Sequence, residues 1–180
     1  IWLEERAQPA AHQVTVGFLG LGVLGSDAAR KLALLGFNVT GWSRKPRYSQ
    51  NITCFHGDEQ LPWFLATVYI LVCLLPLTAQ TRGFLNKGLF DRLKKGGAFG
   101  APILINAGRG GLQNEKDILQ ALEDEVLSAA SLDVFNIEPL PTQSPFWNHP
   151  KVTITPHAAA SSAPDQLVGP IVAQIEAFER

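Results

Sequence analysis

Three side chains able to do chemistry follow short apolar runs of the sequence: Arg109, Glu138 and His157. Each run is typical of a strand, and open α/β sheets bind ligands at the edge where their parallel strands end. A guanidinium binds a carboxylate through two bonds, and an imidazole exchanges a proton near neutral pH. Singly, the three could be a surface cation, a solvated acid and a helix cap. Together they supply an anion binder, a carboxylate and an imidazole, and so form a predicted catalytic set for oxidoreduction of a 2-oxo acid.

A glycine-rich segment, Gly20-Leu21-Gly22-Val23-Leu24-Gly25, lies between the apolar run Val14–Leu19 and a helical pattern, Leu24–Leu35, that stops at Gly36. In this setting G-x-G-x-x-G is typical of a dinucleotide-binding turn, which brings backbone close to a pyrophosphate at a helix N-terminus. The alternative is a structural turn without a ligand. We expect the following residues to contact the cofactor phosphates: Gly20, Gly22, Val23, Leu24 and Gly25.

The residues after the second predicted strand indicate which dinucleotide is bound. An NAD-specific site places Asp or Glu there, about 20 residues after the first glycine. This sequence instead has Ser43, Arg44 and Lys45. A hydroxyl and two cations suit a 2′-phosphate, because an arginine fork binds two oxygens at once. The pattern predicts NADP as the cofactor, with NADPH preferred over NADH; a solvated basic turn is the alternative.

The elements that must position these residues alternate along the chain as strand and helix. This order predicts the α/β class, a Rossmann-type doubly wound parallel sheet with helices on both faces. Strands are predicted at Val14–Leu19, Val39–Trp42, Ile52–Phe55, Val68–Leu75, Ile103–Ile105, Ala129–Val134 and Val152–Ile154, and helices at Leu24–Leu35, Glu59–Ala66, Asn86–Leu93, Glu115–Leu122 and Gln166–Arg180. Residues 1–13 are interpreted as the tail of an inter-domain helix and a linker, and residues 14–180 as the dinucleotide-binding domain. Both ends suggest a fragment of a longer polypeptide whose substrate domain is absent.

Composition excludes several other classes of protein. The formal net charge is −1 over 180 residues, so no basic excess indicates a nucleic-acid partner. The longest apolar run, near Val68–Leu77, is too short to span a bilayer, and no segment resembles a signal peptide. Cys54 and Cys73 lie in apolar runs and are expected to be buried, reduced thiols of a cytoplasmic protein rather than metal ligands.

The ordered motifs resemble those of the D-isomer-specific 2-hydroxyacid dehydrogenase family. The resemblance runs from about Val14 to Arg180 and comes closest to the glyoxylate/hydroxypyruvate reductases, which carry Trp-Ser-Arg after the second strand. Its motifs are the glycine loop, Leu74-Leu75-Pro76-Leu77-Thr78, N-x-x-R-G, L-D-V-F-x-x-E-P-L and T-P-H.

The resemblance implies a role for each matching residue. Arg109 would hold the substrate carboxylate, and His157 would be the general acid/base paired with Glu138. Asp133 would hold the nicotinamide carboxamide. The loop containing Leu75, Pro76 and Thr78 would line the cofactor. The family is commonly dimeric through this domain, so a homodimer acting on a small 2-oxo acid is expected.

The sequence departs from the family at two places and leaves other functions open. Gly108 stands where Ala or Ser is usual and is expected to loosen the Arg109 loop. The segment 99–102, Phe-Gly-Ala-Pro, adds residues before the strand that leads to Arg109. One alternative function is a non-catalytic, dinucleotide-sensing interaction module, although such a module would need none of the three catalytic residues. Another is a family member that acts on a different small substrate, such as formate or phosphite.

Overall fold

A computed structural model describes residues 9–97, 100–160 and 164–179, which form a seven-stranded sheet with helices against it. All paired strands are parallel, as the sequence predicts. The strands are β1 (Thr15–Leu19), β2 (Asn38–Ser43), β3 (Thr53–His56), β4 (Ile70–Cys73), β5 (Ile103–Asn106), β6 (Ala129–Leu132) and β7 (Val152–Ile154). Their order is β3-β2-β1-β4-β5-β6-β7. The chain therefore reverses direction across the sheet between β1 and β4, which opens a crevice beyond the ends of these two strands.

Five α-helices and three short 3-10 turns connect or follow the strands in the described part of the chain. The helices are α1 (Val23–Leu34), α2 (Gly57–Leu65), α3 (Lys87–Phe90), α4 (Glu115–Glu123) and α5 (Pro164–Phe178), and the 3-10 turns are Ala11–Gln13, Gly110–Leu112 and Pro145–Asn148. The Rossmann-type doubly wound fold is confirmed. Among the described helices, none is long and apolar enough to cross a membrane.

The sheet separates two hydrophobic clusters. The smaller cluster lies on the α1 side, where Ala29 packs against Val16 and Phe18 of β1. The larger cluster lies on the other side and contains buried residues of α2, α3 and α4, among them Phe64 and Ile118. Because the clusters cover opposite faces, the sheet has helices on both sides.

Several predicted bounds differ from the observed ones for local reasons. The helix predicted at Asn86–Leu93 is a single turn, Lys87–Phe90, capped by the Asn86 side chain, which accepts from the Leu89 amide at 3.1 Å. The helix does not continue to Leu93, because the amide of Leu93 bonds to the carbonyl of Phe90, three residues back, and so forms a tighter turn than an α-helix. The strand predicted at Val68–Leu75 spans only Ile70–Cys73, since Val68 still belongs to the turn that ends α2.

The two cysteines differ in burial. Cys73 is buried in β4, and burial raises the pKa of its thiol to about 12. Cys54 was expected to be buried but is half-buried, because it lies on the edge strand β3. Both thiols are free.

Two predictions reach beyond the described residues. Of residues 1–13, interpreted as an inter-domain helix tail and a linker, residues 1–8 lie outside them, and Ala11–Gln13 form a 3-10 turn. Phe99, in the segment of added residues, also lies outside them. Of the described residues beside it, Gly97 and Gly100 form an antiparallel bridge.

Candidate active site

The glycine loop is shaped by contacts that exclude side chains at two of its three glycines. Gly20 has φ +101°, and its amide donates to the Trp42 carbonyl at 3.0 Å, which ties the loop to the end of β2. A Cβ at Gly25 would lie 2.0 Å from the Gly20 carbonyl oxygen. At Gly22 a Cβ would meet nothing within 4 Å. The open face of the loop is thus the space in front of Gly22, where a ligand can approach the backbone.

Helix α1 starts at this opening with its first amides free. The first intrahelical bond runs from the Ser26 amide to the Gly22 carbonyl at 2.9 Å. The amides of Val23, Leu24 and Gly25 therefore precede the helical ladder and point out of the helix end. Free amides and a positive dipole end suit a phosphate group, and α1 is long enough to carry that dipole.

A crevice of about 510 Å³ extends from the start of α1 along the switch point of the sheet. Its lining combines Leu24 with two loops, the Leu74–Leu77 loop after β4 and the Ala107–Arg109 loop after β5. The first of these loops is held by Thr81, whose hydroxyl donates to the Pro76 carbonyl at 2.6 Å and accepts from the Thr78 amide at 2.8 Å. These features fit a dinucleotide whose phosphates would meet the free amides at the start of α1.

The end of β2 carries the predicted specificity residues beside the glycine loop. Ser43 is buried, and its hydroxyl donates to the Lys45 carbonyl at 2.8 Å. The Ser43 hydroxyl proton is therefore used in a hydrogen bond that stabilises the turn. Arg44 and Lys45 are exposed, so the cations are available to a ligand at this corner.

Arg109 lies just past β5 on a tightly bonded loop. Its Nη1 donates to the Gly108 carbonyl at 2.7 Å, and the Gly108 amide donates to Asn106 Oδ1 at 3.1 Å. A Cβ at position 108 would lie 2.8 Å from Leu112 Cδ1 and 3.0 Å from the Leu75 carbonyl oxygen. The expectation that Gly108 loosens this loop is wrong, because glycine lets the loop pack against these neighbours.

His157 and Glu138 form a direct pair. His157 Nδ1 and Glu138 Oε2 lie 2.8 Å apart. The second carboxylate oxygen of Glu138 accepts from the Phe135 amide at 2.9 Å. These two hydrogen bonds lower the pKa of Glu138 below its ordinary value, and the bond to His157 has the larger effect. The carboxylate is therefore ionised at neutral pH and orients the ring, leaving Nε2 for a substrate.

The backbone at His157 has φ +54°, a left-handed conformation that a non-glycine residue adopts at a cost. It is held there by its own amide, which donates to the Asp133 carbonyl at 2.9 Å. The imidazole thus projects from a tight corner after β7.

Asp133 organises the same corner through three hydrogen bonds. Its side chain accepts from the Thr155 hydroxyl, from the Ala158 amide at 2.9 Å and from the Ala159 amide at 3.0 Å. Burial raises its pKa, but these bonds outweigh burial and lower the pKa overall. A carboxylate has about four acceptor positions, so one is left for a cofactor amide.

A hollow of about 650 Å³ adjoins the His157–Glu138 pair. Most of its wall is apolar and comes from the loops after β6 and β7, with Phe135, Leu140, Trp147 and Pro156 among its residues. The site residues therefore fall into three neighbouring groups at one sheet edge: the glycine loop with the Arg44 turn, the crevice with Arg109, and the hollow with His157. The residues that the structure describes contain no cluster of three or more potential metal ligands.

The sequence motifs did not indicate the residues that hold the functional loops in place. Thr81, Gln113 and Asn136 hold the functional loops through side-chain hydrogen bonds. Only Thr81 had a local signal, since a threonine three residues after another favours a side-chain-bonded turn.

Sheet order, glycine loop and crevice together define a dinucleotide-binding Rossmann domain. A family profile described as "D-isomer specific 2-hydroxyacid dehydrogenase, NAD binding domain" matches residues 2–159. The chain belongs to this family, as the motifs predicted.

Curated relatives carry the name glyoxylate/hydroxypyruvate reductase A. The protein of Yersinia enterocolitica is 45% identical over 173 residues, which cover 96% of this chain and 54% of that protein. The protein of Serratia proteamaculans is 49% identical over 165 residues, which cover 92% of this chain and 51% of that protein. The chain therefore spans about half the length of the relatives it matches.

Solved structures agree with the sequence relatives. The NADPH-dependent glyoxylate/hydroxypyruvate reductase of Sinorhizobium meliloti, in complex with NADP and sulfate, superposes with a TM-score of 0.93 at 51% identity; the match covers 98% of this chain and 56% of that one. A probable 2-hydroxyacid dehydrogenase of Rhizobium etli, in complex with NADP, HEPES and L(+)-tartaric acid, gives 0.93 at 49% identity, over 99% of this chain and 56% of that one.

Proposed function

We propose that the chain is the cofactor-binding half of an NADPH-dependent reductase of small 2-oxo acids of the glyoxylate or hydroxypyruvate type. The observation that carries this proposal is the His157–Glu138 pair, 2.8 Å apart, at the sheet edge that also holds the glycine loop and Arg109. The relatives named above, which are reductases of these acids or NADP complexes, support the same reading.

Each residue then has a defined task in the reaction. The bound nicotinamide supplies the hydride that reduces the substrate carbonyl. Arg109 holds the substrate carboxylate, since its guanidinium is exposed at the mouth of the crevice. His157 delivers a proton from Nε2 to the carbonyl oxygen, and Glu138 holds the ring in the orientation that this transfer needs. Asp133 offers its remaining acceptor position to the carboxamide.

The preference for NADPH is proposed from the charge at the end of β2. Arg44 and Lys45 are exposed beside the glycine loop, and the buried Ser43 supports their turn. No carboxylate stands among these three residues to repel a 2′-phosphate or to hold the ribose hydroxyls of NADH. We expect this corner to bind the phosphate with charge-assisted hydrogen bonds.

Titration of this chain with NADPH and NADH by fluorescence tests the proposal. NADPH should bind more tightly, and Arg44→Ala should weaken NADPH by roughly ten- to a hundredfold, because a charge-assisted hydrogen bond contributes about 1.5–3 kcal/mol. NADH affinity should change little. Arg92→Ala, another exposed arginine, is the matched control and should leave both affinities unchanged. Tighter binding of NADH by the unaltered chain would overturn the assignment.

Assembly and location are part of the proposal. We expect a homodimer, which light scattering of the purified chain would test, and residence in the cytoplasm, in keeping with the two free thiols. The side chain of His157 is 47% exposed and Arg109 is exposed. Water screens such groups, so catalysis requires a second wall that closes over the substrate, and we expect negligible turnover from these 180 residues alone.

A further inference from the structure

A buried glutamine, Gln113, joins the loop of Arg109 to the loop of Glu138. It follows the 3-10 turn Gly110–Leu112 and is only 3% exposed. Its Oε1 accepts from Asn106 Nδ2 at 2.8 Å, and its Nε2 donates to the Val134 carbonyl at 3.0 Å. The side chain therefore bridges the ends of two neighbouring strands, β5 and β6, and both of its polar atoms are satisfied within the protein.

Hydrogen bonds continue from Gln113 to Arg109. Asn106 is fully buried, and its Oδ1 accepts from the Gly108 amide at 3.1 Å. Its Nδ2 also donates to the Arg109 carbonyl at 3.3 Å, and the Gly108 carbonyl accepts from the guanidinium at 2.7 Å. Because Gln113 accepts from the Asn106 amide, it fixes which way that amide faces and hence the loop that presents the guanidinium.

A second path leads from Gln113 to the imidazole. Val134, whose carbonyl accepts from Gln113, directly precedes Phe135, whose amide donates to Glu138 at 2.9 Å. Glu138 in turn holds His157 at 2.8 Å. The two loops also touch, since a Cβ at Gly110 would lie 1.8 Å from the Phe135 carbonyl oxygen. An unbroken set of covalent and hydrogen bonds therefore runs from Arg109 to His157, with Gln113 at its centre.

We infer that Gln113 is a positioning residue that fixes the separation between Arg109 and His157. The inference rests on the proposed function, in which the two side chains act on the carboxylate and the carbonyl of one small substrate. A substrate of two or three carbons tolerates little error in that separation, because productive geometry must be held to a fraction of an ångström. Buried, fully satisfied hydrogen bonds are the means by which proteins hold such geometry.

Gln113→Met tests this role in the 180-residue chain, because methionine keeps the length of the side chain and removes both polar atoms. Gln120→Met, an exposed glutamine on α4, is the matched control. NMR would follow amide exchange at Gly108 and Phe135, one at each end of the bridge, together with the imidazole nitrogen shifts of His157. NADPH affinity would be measured on the same samples.

We expect exchange at both amides to rise at least tenfold in Gln113→Met. The His157 nitrogen shifts should move toward those of Glu138→Gln, although Gln113 does not touch His157. Gln120→Met should change neither readout. A uniform rise across the sheet amides, or unchanged His157 shifts, would show an ordinary packing role and overturn the inference.

Two further results complete the design. If Gln113→Met does not fold, Gln113→Glu decides, studied at a pH high enough to ionise the new carboxyl: the carboxylate keeps the acceptor for Asn106 and lacks the donor to Val134, so exchange should rise at Phe135 and not at Gly108. The reverse pattern, or no change, would overturn the inference. NADPH affinity should stay within twofold in the control Gln120→Met, whose side chain is exposed on α4. Failure of the unaltered chain to bind NADPH would refute the proposed function and leave the exchange result to decide the role of Gln113.

Discussion

Replacing Asp133 by asparagine should release the corner that carries His157. Asparagine keeps one oxygen, which can accept the two bonds now made to Oδ1 by Thr155 and Ala158. Its amide nitrogen would face the Ala159 amide, which now lies 3.0 Å from Oδ2, and two donors would oppose each other. Asp133 is 6% exposed, so water does not readily replace the lost acceptor.

The cost follows from these contacts. One charge-assisted bond, contributing about 1.5–3 kcal/mol, is lost, and two others weaken to the strength of neutral bonds, about 1 kcal/mol each. Since the two weakened bonds each lose at least about 0.5 kcal/mol, we expect Asp133→Asn to lower the free energy of unfolding by about 2.5 kcal/mol or more. Residues 158–160 are exposed, so this loop can open while the rest of the chain stays folded. Such local opening would make the loss in the free energy of global unfolding smaller.

Urea unfolding at several pH values, with amide exchange at Ala158 and Ala159, measures both parts. The folded-state pKa of Asp133 lies below its ordinary value of 3.8, so its stabilisation is complete above that value and is lost as pH falls through the folded pKa. The difference in the free energy of unfolding between the unaltered chain and Asp133→Asn should thus be constant from pH 7 to about 5 and become smaller below about 4.

The matched control is Asp91→Asn, in which an exposed ion pair with Lys87, 3.1 Å long, is lost. It should cost about 0.5 kcal/mol or less. If Asp133→Asn unfolds at the same urea concentration as the unaltered chain and both amides keep their exchange rates, the bonding argument is refuted.

Two further predictions concern single positions. Gly25→Ala should destabilise the chain by about 1–3 kcal/mol and abolish NADPH binding, because its Cβ would lie 2.0 Å from the Gly20 carbonyl oxygen; Gly22→Ala should lose affinity without losing stability. Thr40→Val should stabilise the chain by about 1 kcal/mol, since the buried Thr40 hydroxyl has no hydrogen-bond partner among the described residues, whereas Thr67→Val should destabilise it by removing a 2.8 Å hydrogen bond. Urea unfolding midpoints would check the predicted changes in stability, and cofactor titration would check the predicted changes in affinity. A change of the opposite sign would contradict the corresponding prediction.

Local patterns predicted the sheet and the glycine loop because their causes are local. A strand such as β5 appears as a short apolar run, and the glycine spacing reflects contacts within the loop itself, such as that between Gly20 and Gly25. The parallel, doubly wound arrangement followed from the rule that parallel strands need right-handed helical crossovers. The positions of Arg109, Glu138 and His157 at one sheet edge follow from that topology.

Apart from the His157–Glu138 pair that the family resemblance implies, the sequence did not predict interactions between distant segments. Nothing near Gln113 indicates that its side chain bonds to Val134, 21 residues away, because that contact exists only once β5 and β6 pair. The burial of Cys54 was predicted wrongly for the same reason, since an apolar run does not reveal that its strand lies at the edge of the sheet. The short helix α3 resulted from the Asn86 cap followed by tight turns, which outweighed a longer helical pattern.

The division of the core by the sheet has a consequence for how the protein opens. Leu21 of the glycine loop and Ala29 of α1 belong to the smaller cluster, whereas the loops of Arg109 and Glu138 adjoin the larger one. A helix that buries little, with Leu34 86% and Leu35 69% exposed at its end, belongs to the part of a protein that unfolds locally first. The cofactor phosphates would bind at the edge of this less stable unit, so a bound dinucleotide would suppress its local opening and would act as a structural component of the domain as well as its reagent.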